Sequence, residues 1–123
     1  MTKKDVKKVI KRYPQIVHAI KRDLSQAVFY VSNRKQVVEI TEEVKSVCKI
    51  IDIVYTGEKD SLIKQMIKDI IIGQSDVFTM KEIYYEKNAY YTRKQAFVQK
   101  VYACCASWGL VSFEEIINEE TAL

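Results

Sequence analysis

Apolar residues recur at intervals of three and four along most of this chain, and that period excludes most architectures before any motif is weighed. Ile40, Val44, Val47, Cys48, Ile51, Val54 and Tyr55 form one stripe, which Thr56-Gly57 ends. Leu62, Ile63, Met66, Ile67, Ile70 and Ile71 form another, closed by Gly73. Ile16, Val17, Ile20, Leu24, Val28 and Val31 carry the same spacing, and before them Val6, Val9 and Ile10 share a face. Pro14 lies between those two sets, where proline suits the first turn of a new helix. Only 3 Gly and 1 Pro are present, too few for the turns of a sandwich or barrel. "VFYV" and "QVVEI" have local strand character, but the flanking helical period outweighs it, and "SNRKQ" reads as a polar connector. The expectation is an all-α fold of six or seven mostly short helices with no sheet.

A chain of 123 residues is one domain's worth of sequence, and a 48% hydrophobic share supplies a core. Two regions are distinguished: a basic helical region over 1–56 and a region over 57–123 that ends in acids. They are expected to form one compact unit. The three cysteines are Cys48, Cys104 and Cys105, an odd number with no C-x-x-C spacing, and His18 is the only histidine. A structural zinc site and a disulfide framework are therefore not expected, and reduced thiols point to a cytoplasmic setting. No cofactor is expected. The lysine-rich start lacks a following apolar stretch of the secretory kind, and the run at Ile70, Ile71 and Ile72 is too short to cross a bilayer.

Charge is unevenly placed. Residues 1–45 hold eleven Lys/Arg against five Asp/Glu, residues 79–110 hold five against two, and residues 111–123 hold acids alone. Two basic zones and an acidic tail favour a polyanionic partner.

The second basic zone carries the pattern that points to a duplex. Three S/T-x-x-E/Q capping boxes, Thr79 with Glu82, Thr92 with Gln95 and Ser112 with Glu115, set helix starts. A short helix from about Thr79 to Glu86, with Met80, Ile83 and Tyr84 on its buried side, is followed by a break at "KNAYY". A longer helix then runs from Thr92 to about Trp108. Short helix, turn, longer helix is the helix-turn-helix pattern.

At 100° per residue, Val101, Tyr102, Cys105 and Trp108 fall within about 80° of Val98 and form the packed face. Arg93, Ala96, Lys100, Ala103 and Ser107 fall on the opposite side, with Gln99 on its flank. Arg and Gln can make bidentate contacts to guanine and adenine, and Ala96 permits close approach. Lys100 and the helix start at Thr92 suit phosphate. The first basic zone adds Lys7, Lys8, Lys11 and Arg12 as sequence-neutral phosphate contacts.

Tyr84 is expected to fill the corner between the two helices, while Tyr85, Tyr90 and Tyr91 are left open between that role and phosphate contact. Asp60, Asp69 and Asp76 form no recognisable catalytic or metal set. No nucleophile elbow, phosphate loop or metalloprotease motif appears, so no enzyme is expected. Membrane binding by the basic N-terminal segment is disfavoured, because it lacks Trp, Phe or Leu anchors.

The segment from Phe78 to Val111, "FTMKEIYYEKNAYYTRKQAFVQKVYACCASWGLV", resembles the C-terminal part of RinA- and ArpU-type transcriptional regulators of phages and mobile elements. "KEIYY", "YYTRKQAF" and "WGLV" carry the likeness, over roughly the last third of the chain. The resemblance implies a sigma-region-four-like helix-turn-helix, with Thr92, Arg93, Lys94, Gln95, Gln99 and Lys100 at the DNA-facing start of the recognition helix. "EKNAYY" lacks the shorter, often glycine-bearing turn of that family. The expected function is sequence-specific, double-stranded DNA-binding transcriptional activation, with RNA polymerase as a further partner and self-association left open. Two alternatives stand beside it: a DNA-binding packaging or recombination accessory protein, and a helical adaptor that binds only protein.

Overall fold

Thr2 and Asp5 cap each other. Thr2 Oγ1 accepts from the Asp5 N–H at 3.2 Å, and Asp5 Oδ2 accepts from the Thr2 N–H at 2.8 Å. This reciprocal cap launches α1 (Lys3–Lys11). Arg12 closes α1 and opens α2 (Tyr13–Lys21), with Pro14 in its first turn as expected. The computed structural model describes residues 1–83 and 85–114. Its later helices are α3 (Glu42–Gly57), α4 (Ser61–Ile71), α5 (Asp76–Ile83) and α6 (Lys87–Ser107).

Between α2 and α3 the expectation of helix throughout fails. β1 (Gln26–Val31) pairs antiparallel with β2 (Arg34–Glu39), so the fold is mostly helical but carries a two-stranded hairpin. Ser32 and Asn33, taken as part of a polar connector, are the two central residues of a tight turn with φ of 49° and 64°. Two consecutive left-handed residues match the right-handed twist of the strands they join. The spacing of Leu24, Val28 and Val31 coincided with helical period. The side chains themselves alternate: Ala27 and Phe29 are buried from β1 and Val38 from β2, while Val28, Tyr30 and Val37 stand outward.

The helix starts also differ from the capping-box reading. Thr79 lies inside α5, fully buried, and its hydroxyl donates to the Ser75 carbonyl at 3.2 Å. Ser75 is the residue that caps α5, its Oγ accepting from the Phe78 N–H at 3.1 Å. Thr92 lies inside α6 and donates to the Asn88 carbonyl at 2.8 Å. A hydroxyl bonded back four residues belongs to a helix interior, not to its start. The third box needs Glu115, outside the described residues, as is the expectation placed on Tyr84.

One core serves both regions of the sequence. Val6, Val9 and Ile16 from the N-terminal helices join Val47, Ile50 and Ile51 of α3, Met66 and Ile67 of α4, and Tyr90, Phe97, Val101 and Cys105 of α6. α6 lies against α3, and α1 touches α3, α4 and α6. The glycine stops are as expected at the ends of α3 and α4. At Gly73, with φ of 85°, the chain turns back so that the Gln74 N–H bonds the Asp69 carbonyl at 2.9 Å.

Candidate nucleic-acid interface

α5 is described to Ile83 and α6 begins at Lys87, so "KNAYY" is the beginning of α6 instead of a break. No glycine or proline marks that junction in the sequence, and Glu86 makes no side-chain cap. Arg93 is therefore the seventh residue of α6, in its second turn with Thr92 and Lys94, and not at the helix start. The exposed residues nearest the start are Lys87, Asn88 and Ala89, which the sequence reading passed over.

Asp76, the first residue of α5, fixes how the two helices meet. Its Oδ1 accepts from the Tyr90 hydroxyl at 2.6 Å and from Lys94 Nζ at 2.8 Å, and its Oδ2 from the Tyr91 hydroxyl at 3.5 Å. The three donors sit on one side of α6, so a single carboxylate at the start of α5 holds two successive turns of its neighbour. Burial works against the charge on Asp76. Lys94 and the two hydroxyls outweigh it and hold the carboxyl below its ordinary pKa. Lys94 is consequently a strut between the two helices. Tyr90 is wholly buried, and its hydroxyl is pushed up in pKa by burial and by Asp76, so it belongs to the corner.

The outward side of α6 is largely as the sequence indicated. Ala89, Arg93, Ala96, Lys100, Ala103 and Ser107 are all exposed and follow one another at intervals of three and four. Thr92 and Gln95 are exposed beside this stripe, and Gln99 is half-buried. Arg93 lays its guanidinium over the Tyr85 ring, 5.1 Å from the centroid. Lys100 reaches Glu58 Oε2 at 3.5 Å while 63% of its side chain remains exposed, a long and weakly held pair. Arg93, Ala96 and Lys100 line a cleft of about 110 Å³ with Glu58, Ile63, Ile67 and Phe97. On the packed face Val101, Tyr102 and Cys105 are buried as expected, together with Phe97, which the wheel had not placed there. Trp108 is 49% exposed, so it does not anchor the helix.

The N-terminal cations form a second surface. Lys4, Lys7, Lys8 and Lys11 are exposed and lie within about a 100° arc of α1, with Val6, Val9 and Ile10 opposite. None of the four has a carboxylate within ion-pair distance among the described residues. Lys4 completes the ridge; its i, i+3, i+4, i+7 relation to the others was the available signal. Arg12 departs from the set. It is half-buried, its guanidinium 4.3 Å above the centre of the Phe29 ring, and it fastens the hairpin to the junction of α1 and α2.

The acids that formed no catalytic set have separate structural tasks. Asp60 caps α4 through the Leu62 and Ile63 amides, Asp69 is buried and accepts from Gln65, and Asp76 joins α5 to α6. Burial raises the Cys48 thiol to about 12 and the Cys105 thiol to about 11, which suppresses thiolate chemistry at both. No group of three or more metal-ligating side chains occurs among the described residues, and none of the described helices is long and apolar enough to cross a membrane. Comparison with known proteins finds no matching family model, no matching curated protein and no matching solved structure.

Proposed function

We propose that this chain binds double-stranded DNA sequence-specifically and activates transcription, with α5 and α6 as the reading pair and α1 as a sequence-neutral grip on phosphate. One observation carries the reading. After the short α5, α6 offers a continuous outward stripe, Ala89, Arg93, Ala96 and Lys100, that is small and cationic over its N-terminal half. A helix of that kind suits a major groove about 12 Å wide, where small residues allow approach and an arginine reaches a guanine edge. The resemblance to RinA- and ArpU-type regulators extends the proposal to phage or mobile-element genes, with RNA polymerase as the second partner.

The test is selection of bound sequences from a random duplex pool, followed by titration of the selected site and a scrambled one at fixed salt. Arg93→Ala should lower preference for the selected site by about 1–3 kcal/mol, the worth of a bidentate base contact. Lys100→Ala should weaken both duplexes alike. Circular dichroism on each variant confirms the fold. A parent chain that binds no duplex, or an Arg93→Ala variant that folds and keeps the full preference, refutes the reading.

A further inference from the structure

We infer that the β1–β2 hairpin is a second DNA-contacting element, in which Arg34 and Lys35 at its tip grip phosphates of the duplex held by α1. The inference rests on the DNA-binding reading and adds a surface that neither the helix pair nor α1 supplies.

Charge is the first observation. No carboxylate occurs between Asp23 and Glu39, a span that contains the whole tip and two cations. Arg34 and Lys35 are exposed, and neither has an ion-pair partner among the described residues. Elsewhere the fold does engage cations, as with Lys94 on Asp76 and Lys45 on Glu42.

Placement is the second. Register pairs Phe29 with Gln36 and Val31 with Arg34, so Arg34 stands on the same face of the hairpin as Phe29, two residues nearer the tip. At about 3.4 Å per residue that is roughly 7 Å further out. Phe29 is the ring on which Arg12 lies, and Arg12 directly follows Lys11. The lysine ridge of α1 therefore leads through Arg12 onto the face that carries Arg34. Lys35 stands on the other face, directly across from Tyr30, which is 70% exposed. The ribbon thus presents a cation on each side.

Rigidity is the third. A tight two-residue turn closes the ribbon, and its base is seated in the core by Ala27, Phe29 and Val38. An ordered two-stranded ribbon holds its tip cations at fixed positions, where contacts to phosphate add affinity without reading sequence.

The experiment is duplex binding across a salt series by the parent chain and by an Arg34→Gln/Lys35→Gln variant, with thermal melting of both. Both residues are exposed, so melting should hardly change. The slope of log affinity against log salt should fall in magnitude by about 1.8, which is 0.9 per lost phosphate contact, equally on selected and scrambled duplexes. A parent chain that binds duplex, with a variant of unchanged slope, overturns the inference alone. That holds equally if the variant merely aggregates more readily, since cations on exposed strands also discourage edge pairing. A parent that binds no duplex overturns the DNA reading and this inference with it. A variant that loses affinity for single-stranded RNA of equal length, but not for duplex, also overturns it.

Discussion

Asp76 shows how one side chain decides the geometry of a helix pair. Its carboxylate takes three donors from α6, and its pKa lies below the ordinary value because Lys94, Tyr90 and Tyr91 outweigh the cost of burial. A depressed folded-state pKa gives stability that is present above the unfolded value of about 3.9 and is lost as pH falls through the folded value. Asp76→Asn should therefore lower the melting temperature at pH 7, and the gap to the parent should close below about pH 4. The ion pair is about one-third exposed, so its share is small, about 1 kcal/mol or less after solvent screening. A gap that stays constant from pH 7 to pH 2.5 would show that the charge is not what holds the helices. The same scale separates two aromatic residues of α6 and its end. Phe97 is 2% exposed and Trp108 is 49% exposed. Phe97→Ala should cost about 3–5 kcal/mol in denaturant unfolding, and Trp108→Ala much less. Equal losses would contradict this assignment of faces.

At the scale of elements, what the sequence disclosed depended on whether two local signals agreed. For α3 and α4 they did. Sustained apolar spacing ended at Gly57 and Gly73, and the helices end there. For the hairpin they conflicted. Val28 and Val31 extended a helical spacing by coincidence, while β-branched and aromatic residues and a Ser-Asn pair favoured strands and a turn. For α6 a threonine followed three residues later by glutamine imitated a cap inside a helix, and the sequence just before the true start at Lys87 carries no breaker. The outward stripe survived this error because face depends on period alone and not on where the helix begins. The hairpin also offers a test of its turn. Ser32 and Asn33 both occupy left-handed backbone, where Asn-Gly is the favoured pair. Ser32→Asn with Asn33→Gly should raise stability by roughly 0.5–1 kcal/mol, from the left-handed penalty relieved at these two positions. A lower melting temperature would mean that the present side chains make contacts worth more than the backbone relief.

For the whole molecule, the decisive quantity is where free positive charge stands. The net charge of +4 understates it, because four lysines of α1 share one arc while several acids are engaged in caps and in the α5–α6 junction. Contacts to phosphate release condensed counterions, so their number can be read from the salt dependence of binding. Changing Lys4, Lys7, Lys8 and Lys11 together to Gln should flatten that dependence by about one unit per lost contact and weaken every duplex alike. Lys8 and Lys11 also stand in the last turn of α1, where cations favour the helix by about 0.3–1 kcal/mol each, so a modest fall in melting temperature should accompany the loss. Arg12 should behave in the opposite sense. Its guanidinium is engaged on Phe29, and Arg12→Gln should loosen the hairpin and lower the melting temperature while changing the slope little. The two variants, compared by melting and by salt titration, separate a charge that meets solvent from one that holds the fold. If Arg12→Gln flattens the slope as much per residue as the lysine variant does, Arg12 leaves Phe29 to meet phosphate, and the junction of α1 and α2 is itself part of the DNA-binding surface.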